Sequence, residues 1–532
     1  MPPKRSNKTL VLPAGARPPL RLTPPPWVPD EEVSNCRMCH APFTQLNRRH
    51  HCRQCGDIFC HSCSSKKIPM PQFDFARNER VCRACTPITT YVADASSDLF
   101  PEKQSAAAKS IAEMARQEDG FSKIVLYGGI GALIYLCNST NEDVLLNAIQ
   151  ALHTLVQIDT AQNTIFNQGV LLPLFNICKG TEEDSAVNNL FVMHCAVNIL
   201  FVFSRNVDIC RSVISDGGFH PLVAMCNRKL PPNRPTSVTV QNQAITLSSV
   251  QGIAARTISY LSMNSKNQEL IIEDRHNGPD KLLNLLSHEN QHVRKYITKT
   301  FAYLSLRQDD LKPKILSAQG TQLLANLMET ETVRETLSHA SCTIANLATN
   351  SSNHDSQVHT HLLGALCRLA VRKKDDAEIQ RHIARGLANL ALYPENKRAL
   401  VDEALEQLIA LGNTSNLEIQ RHVVRAIDNI LNDAPDDIIL ALHKADVLSL
   451  LEAISTNRSQ QSVTQGMQVG QHQAFSEILR RCNETSSRLN RAIAKATKAG
   501  GEGGSEGAAD DEVAGIQESL AAVDVSNNDA SP

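Results

Sequence analysis

Apolar residues along most of this chain recur at the three- and four-residue spacing that is typical of amphipathic helices. Between roughly residues 121 and 455 this pattern is punctuated by glycines that precede a further apolar run: Gly129, Gly169, Gly218, Gly278 and Gly320. These glycines stand 40, 49, 60 and 42 residues apart, and the longest interval contains the proline-rich segment 229–235, a predicted surface insertion. The period predicts an α-helical solenoid of about eight repeats.

A second marker supports the same period. Asparagines stand near the end of a predicted amphipathic helix at Asn198, Asn346, Asn389 and Asn429, and the last two steps are 43 and 40 residues. Together with the glycine turns, these asparagines resemble armadillo repeats across residues 121–455. The resemblance implies that the third helix of each repeat lines a groove in which the asparagines hold the backbone of an extended peptide. The alternative is that the asparagines only bond neighbouring helix ends.

Positive charge marks the C-terminal half of this predicted groove. Positions four and eight residues before Asn389, Asn429 and Tyr303, which fills the same slot in its own repeat, lie on one helix face and are lysine or arginine. The predicted peptide groove therefore comprises Lys295, Lys299, Asn346, Arg381, Arg385, Asn389, Arg421, Arg425 and Asn429. We expect it to bind an extended acidic peptide or protein segment, and the acidic segment 510–512 near the C-terminus is one candidate for occupying it within the same chain.

Eight of the sixteen cysteines form four C-x-x-C pairs between residues 36 and 85. The pairs are Cys36/Cys39, Cys52/Cys55, Cys60/Cys63 and Cys82/Cys85. Eight thiolates suit two tetrahedral zinc ions. The other eight cysteines are scattered singly among apolar helical residues, so we expect them to be buried free thiols.

A basic hexapeptide, residues 48–53, surrounds the ligand Cys52, and such a cluster of guanidinium and imidazole groups suits a phosphate. Together with Trp27-Val28-Pro29-Asp30 upstream and Arg80-Val81-Cys82 downstream, it resembles the FYVE zinc finger, which reads phosphatidylinositol 3-phosphate on endosomal membranes. The resemblance implies cross-bracing, in which the first and third cysteine pairs hold one zinc and the second and fourth hold the other. It also implies a lipid-binding set made of Trp27, Asp30, Arg48, Arg49, His50, His51, Arg53 and Arg80.

The FYVE family also inserts a loop into the bilayer, and the matching loop here reads Thr44-Gln45-Leu46-Asn47. Only Leu46 is clearly apolar, and burying one leucine yields about 1.5–3 kcal/mol. We therefore expect Leu46 to support shallow, reversible docking on a membrane.

Net charge, apolar run length and catalytic motifs limit the classes of function that this chain can have. The net charge of −2 disfavours nucleic acid as the main partner, and no apolar run approaches the ~20 residues that span a bilayer. The N-terminus lacks a secretory apolar region, so we expect a cytoplasmic protein that associates peripherally with endosomal membranes. No phosphate loop, nucleophile elbow or H-E-x-x-H helix is present, so we do not expect an enzyme.

The predicted fold class is a multidomain chain with disordered termini, in which a small cross-braced two-zinc finger of β and irregular structure precedes an all-α armadillo-like superhelical solenoid. The predicted boundaries are a basic proline-rich tail (1–26), the finger (27–88), a linker and short helix (89–120), the repeats (121–455), a C-terminal capping helix region (456–498) and an acidic tail (499–532).

These features favour a phosphatidylinositol 3-phosphate-binding adaptor that recruits a protein partner through its groove. The alternative is a zinc-finger ubiquitin ligase with a helical-repeat substrate-binding domain. The spacing between Cys52, Cys55 and Cys60 is awkward for a ligase finger, which would also leave the basic hexapeptide without a role.

Overall fold

The computed structural model describes residues 22–97, 100–117, 119–180, 185–306, 312–315, 318–349, 356–464 and 469–501. They belong to two compact units, one ending at Leu304 and one beginning at Ser305, so the division falls inside the predicted repeat region. Most of the predicted N-terminal tail and acidic tail, including the candidate self-ligand 510–512, lies outside the described residues. Among the described helices, none has the length and hydropathy that a bilayer crossing requires.

The strands form three separate antiparallel pairs in the first unit. Two pairs build the finger: β1 (His50–His51) with β2 (Ile58–Phe59), and β3 (Lys66–Ile68) with β4 (Glu79–Val81). The third is a hairpin of β5 (Ser237–Val240) and β6 (Gln243–Thr246), which follows the predicted insertion. Gln241 and Asn242 turn this hairpin with positive φ, as a two-residue loop matched to the strand twist requires.

The rest of the first unit is helical. Its helices are α1 (Thr86–Ala95), α2 (Pro101–Ala115), α3 (Gly120–Leu126), α4 (Gly129–Leu136), α5 (Glu142–Leu155), α6 (Asp159–Asn167), α7 (Leu171–Lys179), α8 (Leu190–Arg205), α9 (Cys210–Ser215), α10 (Phe219–Cys226), α11 (Leu247–Leu261), α12 (Ser265–Ile272), α13 (Gly278–Asn284) and α14 (Gln291–Leu304). Helices α5, α8, α11 and α14 pack each against the next in one row, and α7 and α10 pack in a second. The long helices begin at polar caps, since Asn141, Asn189 and Thr246 each accept a backbone N–H bond.

The repeated glycines have a steric cause. Gly217 has φ +97°, a left-handed conformation that ends α9, and a Cβ on the following Gly218 would lie 2.4 Å from the Val213 carbonyl oxygen. The same arrangement recurs at Asn277 and Gly278, where a Cβ would lie 2.6 Å from the Ile271 carbonyl oxygen. Only glycine lets the second helix of each turn pack this closely on the preceding one.

The second unit repeats the two-row arrangement. Its helices are α15 (Lys312–Ile315), α16 (Ala318–Thr330), α17 (Arg334–Leu347), α18 (Ser356–Arg372), α19 (Ala377–Leu390), α20 (Lys397–Gly412), α21 (Leu417–Leu431), α22 (Asp436–Lys444), α23 (Val447–Thr464) and α24 (Val469–Gly501). Helices α17, α19 and α21 form one row and α16, α18 and α20 the other. Helix α24 covers the end of this stack by packing against α21, α22 and α23, and it buries Ile478, Cys482, Leu489 and Ile493.

The predicted fold class, a small zinc finger followed by an all-helical body, is confirmed. One detail differs, because the predicted linker after the finger is largely helical. Helix α1 occupies residues 86–95 and buries Ile88, Val92 and Ala95. It packs against α2 and α4, so the finger continues into the helical body without an extended tether.

Three of the four asparagines that mark the repeats bond to neighbouring segments, whereas Asn198 donates to the His194 carbonyl of its own helix at 2.8 Å. Asn389 Nδ2 donates to the Ala345 carbonyl at 2.7 Å, and Asn429 Nδ2 donates to the Ala388 carbonyl at 2.9 Å. Asn389 Oδ1 accepts from Arg425 Nη2 at 2.8 Å, and Asn346 Oδ1 accepts from Arg385 Nη2 at 2.9 Å. In this conformation their amides hold neighbouring helices together, which is the alternative that the sequence left open.

We predict that Asn389→Ala destabilises the second unit, because it leaves a buried carbonyl and a guanidinium N–H without partners. The expected loss is about 1–3 kcal/mol of unfolding free energy, measured by urea denaturation followed by circular dichroism. Asn413→Ala is the control, since Asn413 is exposed at the end of α20 and should change stability by less than about 0.5 kcal/mol. Equal effects of the two substitutions would contradict a structural role for the Asn389 amide.

We also predict that this unit loses stability in mild acid. Burial, assisted by neighbouring arginines, lowers the pKa of His382 to about 4 and the pKa of His422 to about 3. The unfolded chain takes up these protons near pH 6.5, while the folded chain stays neutral until lower pH. The two neutral histidines therefore contribute fully to the free energy of unfolding above pH 6.5. As the pH decreases below 6.5, this free energy decreases by up to about 1.4 kcal/mol per pH unit for each histidine. Replacing both with glutamine should flatten the dependence of urea midpoint on pH, and an unchanged slope would contradict this account.

Candidate zinc centres and lipid-headgroup site

The eight paired cysteines assemble into two separate sets in the first unit. Cys36, Cys39, Cys60 and Cys63 form one and Cys52, Cys55, Cys82 and Cys85 the other, and within each set the Sγ atoms all lie within 4.8 Å of one another. The Sγ atoms of Cys39 and Cys60 are 3.7 Å apart. A tetrahedral zinc with ligands at ~2.3 Å has sulfur–sulfur edges of about 3.8 Å, so the donor set fits this ion.

Hydrogen bonds to sulfur support the thiolate form in both sets. The Cys60 N–H points at Cys36 Sγ at 3.4 Å, and the Cys82 N–H points at Cys52 Sγ at 3.3 Å. Each set also has one hydroxyl neighbour, since Ser62 Oγ lies 3.1 Å from Cys60 Sγ and Tyr127 Oη lies 3.0 Å from Cys85 Sγ. The Ser62 contact is the main cause that lowers the pKa of Cys60 to about 6. Zinc at these sets would supply much of the finger's folding free energy, because binding requires the folded arrangement.

The predicted cross-braced pairing is therefore confirmed. Each set joins two cysteine pairs that are distant in sequence, and seven of the eight cysteines are buried or half-buried. Gly56 makes the tight turn in the second pair possible: its φ is +77°, and a Cβ there would lie 2.3 Å from the Pro26 carbonyl oxygen. The segment before Trp27 consequently lies directly against the metal loop.

Trp27 packs against the basic hexapeptide, residues 48–53, which includes β1 and is called the basic strand below. The Trp27 ring, called the aromatic wall, lines one side of a polar surface. The Trp27 and His51 rings stack with centroids 4.6 Å apart, and the Arg53 guanidinium carbon lies 4.2 Å from the Trp27 ring centroid. His51 Nε2 lies 2.9 Å from the Val28 carbonyl oxygen and 3.7 Å from Asp30 Oδ1. Because a carbonyl can only accept, His51 Nε2 must carry a proton, and this histidine is fixed in orientation before any ligand arrives.

Arg53 is held from several sides. Its Nη1 donates to the His51 carbonyl at 3.1 Å, its Nε lies 3.4 Å from Glu79 Oε2, and its backbone N–H donates to the Arg80 carbonyl. The strand β1 thereby connects to β4 through Arg53. A phosphate that approaches Arg53 has to compete with the Glu79 carboxylate.

The other predicted lipid-binding residues surround the same strand. Arg80 Nη1 donates to the Ser64 carbonyl at 2.7 Å, and Arg48 is exposed. Burial, and then the charges of Arg80, His61 and Arg48, lower the pKa of His50, so this imidazole is neutral near neutral pH. The smaller part of this lowering comes from a local excess of positive charge, which an anionic ligand would relieve.

Arg49 has a different orientation. Its Nε donates to the Val33 carbonyl at 3.0 Å and its guanidinium carbon lies 5.1 Å from the Phe43 ring centroid. It therefore ties the segments on both sides of the first cysteine pair to the basic strand. This bracing role was not evident from the sequence, in which Arg49 looks equivalent to Arg48.

The predicted insertion loop is a tight turn. The Thr44 N–H donates to the Asn47 carbonyl, the Asn47 N–H donates to Thr44 Oγ1, and Asn47 Nδ2 donates to the Pro42 carbonyl at 2.8 Å. These bonds present Leu46 at the tip, where it is 98% exposed. An apolar side chain held this far out in water is positioned to enter a membrane surface.

Residues of the helical body complete the finger. Tyr127, which follows α3, contacts the finger core and reaches the second metal set through Cys85. Buried Gln54 donates to the Leu126 carbonyl at 3.4 Å and accepts from Gln72 Nε2 at 2.9 Å. Sequence reasoning missed Tyr127, because it stands 42 residues beyond Cys85 and belongs to no cysteine pattern.

Comparison with known proteins agrees with this geometry. Residues 26–90 match the family model of the FYVE zinc finger. This segment is a FYVE zinc finger. As such it is a zinc-dependent module of the phosphoinositide-binding type, and the match extends to within two residues of the predicted boundaries, 27–88.

The fold is also similar to solved structures of two engineered proteins from the Northeast Structural Genomics Consortium. The first has a TM-score of 0.54 and 22% identity, and the alignment covers 77% of this chain and 92% of that chain. The second has a TM-score of 0.39 and 22% identity, covering 51% of this chain and 98% of that chain. At this identity the first likeness indicates a shared fold only.

The predicted peptide-groove residues fall in both units, so they are described separately. Lys295 and Lys299 lie on α14 of the first unit, beside Tyr296 and Tyr260 respectively. In the second unit Arg385 and Arg425 bond to asparagines of the preceding helix, while Arg421 pairs with Glu418 at 3.0 Å and Arg381 is partly exposed. Arg385 and Arg425 thus have structural partners.

We predict that Tyr127→Phe weakens zinc retention at the second metal set while leaving the first unchanged. Purified wild-type protein should contain two zinc ions per chain, and the variant should release one of them faster to a colorimetric chelator, because the Cys85 thiolate loses its hydroxyl donor. We expect a change of about 10-fold or more in release rate.

Tyr91→Phe is the matched control, since Tyr91 lies on α1 away from both cysteine sets. Identical release from wild type and the Tyr127 variant would show that the hydroxyl is only a packing neighbour. Elemental analysis of wild type that finds fewer than two zinc ions would contradict the metal assignment itself.

Proposed function

We propose that this chain is a binding protein, an adaptor that docks on endosomal-type membranes by binding phosphatidylinositol 3-phosphate and presents its helical repeats to a protein partner. The observation that carries the proposal is the arrangement of the finger. A rigid basic strand beside an aromatic wall and a fully exposed leucine lie on one small zinc-braced scaffold.

The charge pattern supports a compact phosphate ligand. Arg48, Arg53, Arg80 and His50 cluster around strand β1, and only Arg53 among them has a carboxylate in reach within the described finger. Guanidinium groups bind phosphate through two parallel N–H bonds, and fixed orientation reduces the entropy lost on binding. Asp30 offers an acceptor beside these cations, which suits a hydroxylated ring that carries a phosphate.

Membrane attachment would combine two weak contributions to the binding free energy. Insertion of Leu46 contributes about 1.5–3 kcal/mol, and each headgroup contact adds a charge-assisted hydrogen bond. Neither alone anchors a protein stably. Together they favour reversible recruitment that depends on the presence of the phosphorylated headgroup.

The helical body supports the second half of the proposal. In each unit, helices stacked in two rows present side chains along one face of a row, as in repeat proteins that bind partners. Because the asparagines bond within the protein, partner contacts would come from cations and other side chains on that surface.

We predict that Arg53→Gln abolishes recruitment to liposomes that contain phosphatidylinositol 3-phosphate, since this side chain joins the aromatic wall to the basic strand. Leu46→Ser should weaken recruitment by about 10-fold or more, through loss of one buried leucine. Both are measured by liposome co-sedimentation of the full chain, with zinc content determined in parallel.

Arg83→Gln serves as the control, because Arg83 is an exposed arginine of the same finger outside the basic hexapeptide. A panel of headgroups tests specificity, and we expect the 3-monophosphate to bind best. Equal recruitment to every anionic lipid would reduce the basic strand to a general electrostatic patch and overturn the headgroup assignment.

A further inference from the structure

Three consecutive helices of the first unit place cations and aromatic rings in one continuous row. Helix α8 contributes Phe201 and Arg205, α11 contributes Arg256 and Tyr260, and α14 contributes Tyr296 and Lys299. We name these six residues the cation–aromatic patch. Helix α11 packs directly against both α8 and α14, so the patch crosses three neighbouring helices.

Arg256 is the centre of the patch. Its guanidinium carbon lies 4.5 Å from the Phe201 ring centroid, 5.6 Å from that of Tyr260 and 5.9 Å from that of Tyr296. Lys299 Nζ lies 5.9 Å from the Tyr260 ring, and the Arg205 guanidinium lies 5.9 Å from Phe201. Phe201 thus contacts both Arg256 and Arg205, and Tyr260 contacts both Arg256 and Lys299. These shared rings hold three positive charges close together, because each ring face attracts a cation.

These positive charges have no counter-charge within the described structure. Arg205, Arg256 and Lys299 form no ion pair with any described carboxylate, although ion pairs occur elsewhere in the same unit, such as that of Arg234 with Glu142. The Arg256 contact and then the charges of Arg256, Lys299 and Arg205 lower the pKa of Tyr260. A cluster of like charges raises the local potential and favours an anionic ligand.

Most of the patch is accessible but only partly exposed. Arg256, Tyr260, Tyr296, Lys299 and Phe201 are each half-buried, and Arg205 is exposed. A flat bilayer surface makes poor contact with half-buried side chains, whereas the side chains of a single extended polypeptide can reach them. The Phe201 ring also meets Arg256 on its face and Tyr260 edge-on at 5.2 Å, so this ring is not free to stack with a nucleic-acid base.

We propose that the cation–aromatic patch is the docking site for an extended acidic peptide segment of the protein partner. Arg256 and Lys299 would bind carboxylates, and the phenol hydroxyls of Tyr260 and Tyr296 would donate further hydrogen bonds. A guanidinium stacked on rings suits this task, because the ring contacts orient its planar fork before the carboxylate arrives. The chain's overall pI of about 6.8 makes the positive patch a local feature and disfavours nucleic acid.

This inference deepens the adaptor function proposed above, since it assigns the partner-binding surface and the chemistry of its ligand. It also adds a positive surface to the one expected from the sequence, which concentrated positive charge in the C-terminal half of the predicted groove. Arg205 and Arg256 do not occupy the four- and eight-residue positions from which that expectation came.

The test is a selection of dodecapeptides from a random display library on the full-length, zinc-loaded protein. We expect the selected peptides to be rich in aspartate and glutamate. Their affinity should fall at least about 10-fold on Arg256→Gln combined with Lys299→Gln, and it should fall with rising salt. Arg256→Lys, which keeps the charge but loses the planar fork that the rings orient, should lose part of the affinity, though less than Arg256→Gln.

Arg211→Gln is the matched control, because Arg211 is an exposed arginine on α9 of the same unit. Selected peptides without acidic residues, or acidic peptides that bind the double variant normally, would overturn the proposal. Binding of an oligothymidine or of phosphatidylserine vesicles that depends on Arg256 and Lys299, with peptide binding unaffected, would also overturn it.

Liposome recruitment by phosphatidylinositol 3-phosphate is measured on the same variants. The double variant should keep full lipid binding, since the patch lies outside the finger. Lost peptide binding with intact recruitment supports the patch, whereas absent recruitment in wild type counts against the membrane function and leaves the peptide result standing.

Discussion

Metal–thiolate coordination is the constraint on which the finger depends. The strands β1 to β4 are two or three residues long, too short to form a stable sheet by hydrogen bonding alone. Two sets of four cysteines, each joining pairs distant in sequence, replace the apolar core that so small a unit cannot build. The basic hexapeptide, which we propose to contact the headgroup, includes the ligand Cys52, so one backbone holds the metal centre and the proposed headgroup site.

The finger does not end at its last ligand. Tyr127 and the Leu126 carbonyl bring the helical body to the second cysteine set, and α1 leads directly from Cys85 into the packed helices. Loss of zinc should therefore disturb the first helices as well as the finger. This coupling differs from the usual picture of a zinc finger on a flexible tether, and it means that the metal site and the first repeat belong to one compact unit.

The sequence predicted the features that depend on spacing. Cysteine pairs and the basic hexapeptide are local motifs and the glycines recur every 40 to 60 residues, and the structure confirms the cross-bracing of the cysteines and the helical body. The sequence could not predict contacts between residues that share no motif, such as Tyr127 with Cys85 or Arg256 with Phe201. The residues after the finger were expected to be a linker, yet a helix begins at Thr86 with Pro87 in its first turn, where proline is well tolerated.

Arginines in the two units have different partners. Arg385 and Arg425 each donate one Nη2 N–H to an asparagine oxygen of the preceding helix in the second unit, although their buried Nε atoms have no partner among the described residues. Arg256 in the first unit is oriented by ring faces and by a contact with the Tyr260 hydroxyl. A guanidinium carries five N–H donors, so further donors remain at the edge of Arg256 for the carboxylate that we propose as its ligand. Where the neighbour is an amide, the arginine fixes one helix on the next, and where the neighbours are aromatic rings, the rings orient the guanidinium for the proposed ligand.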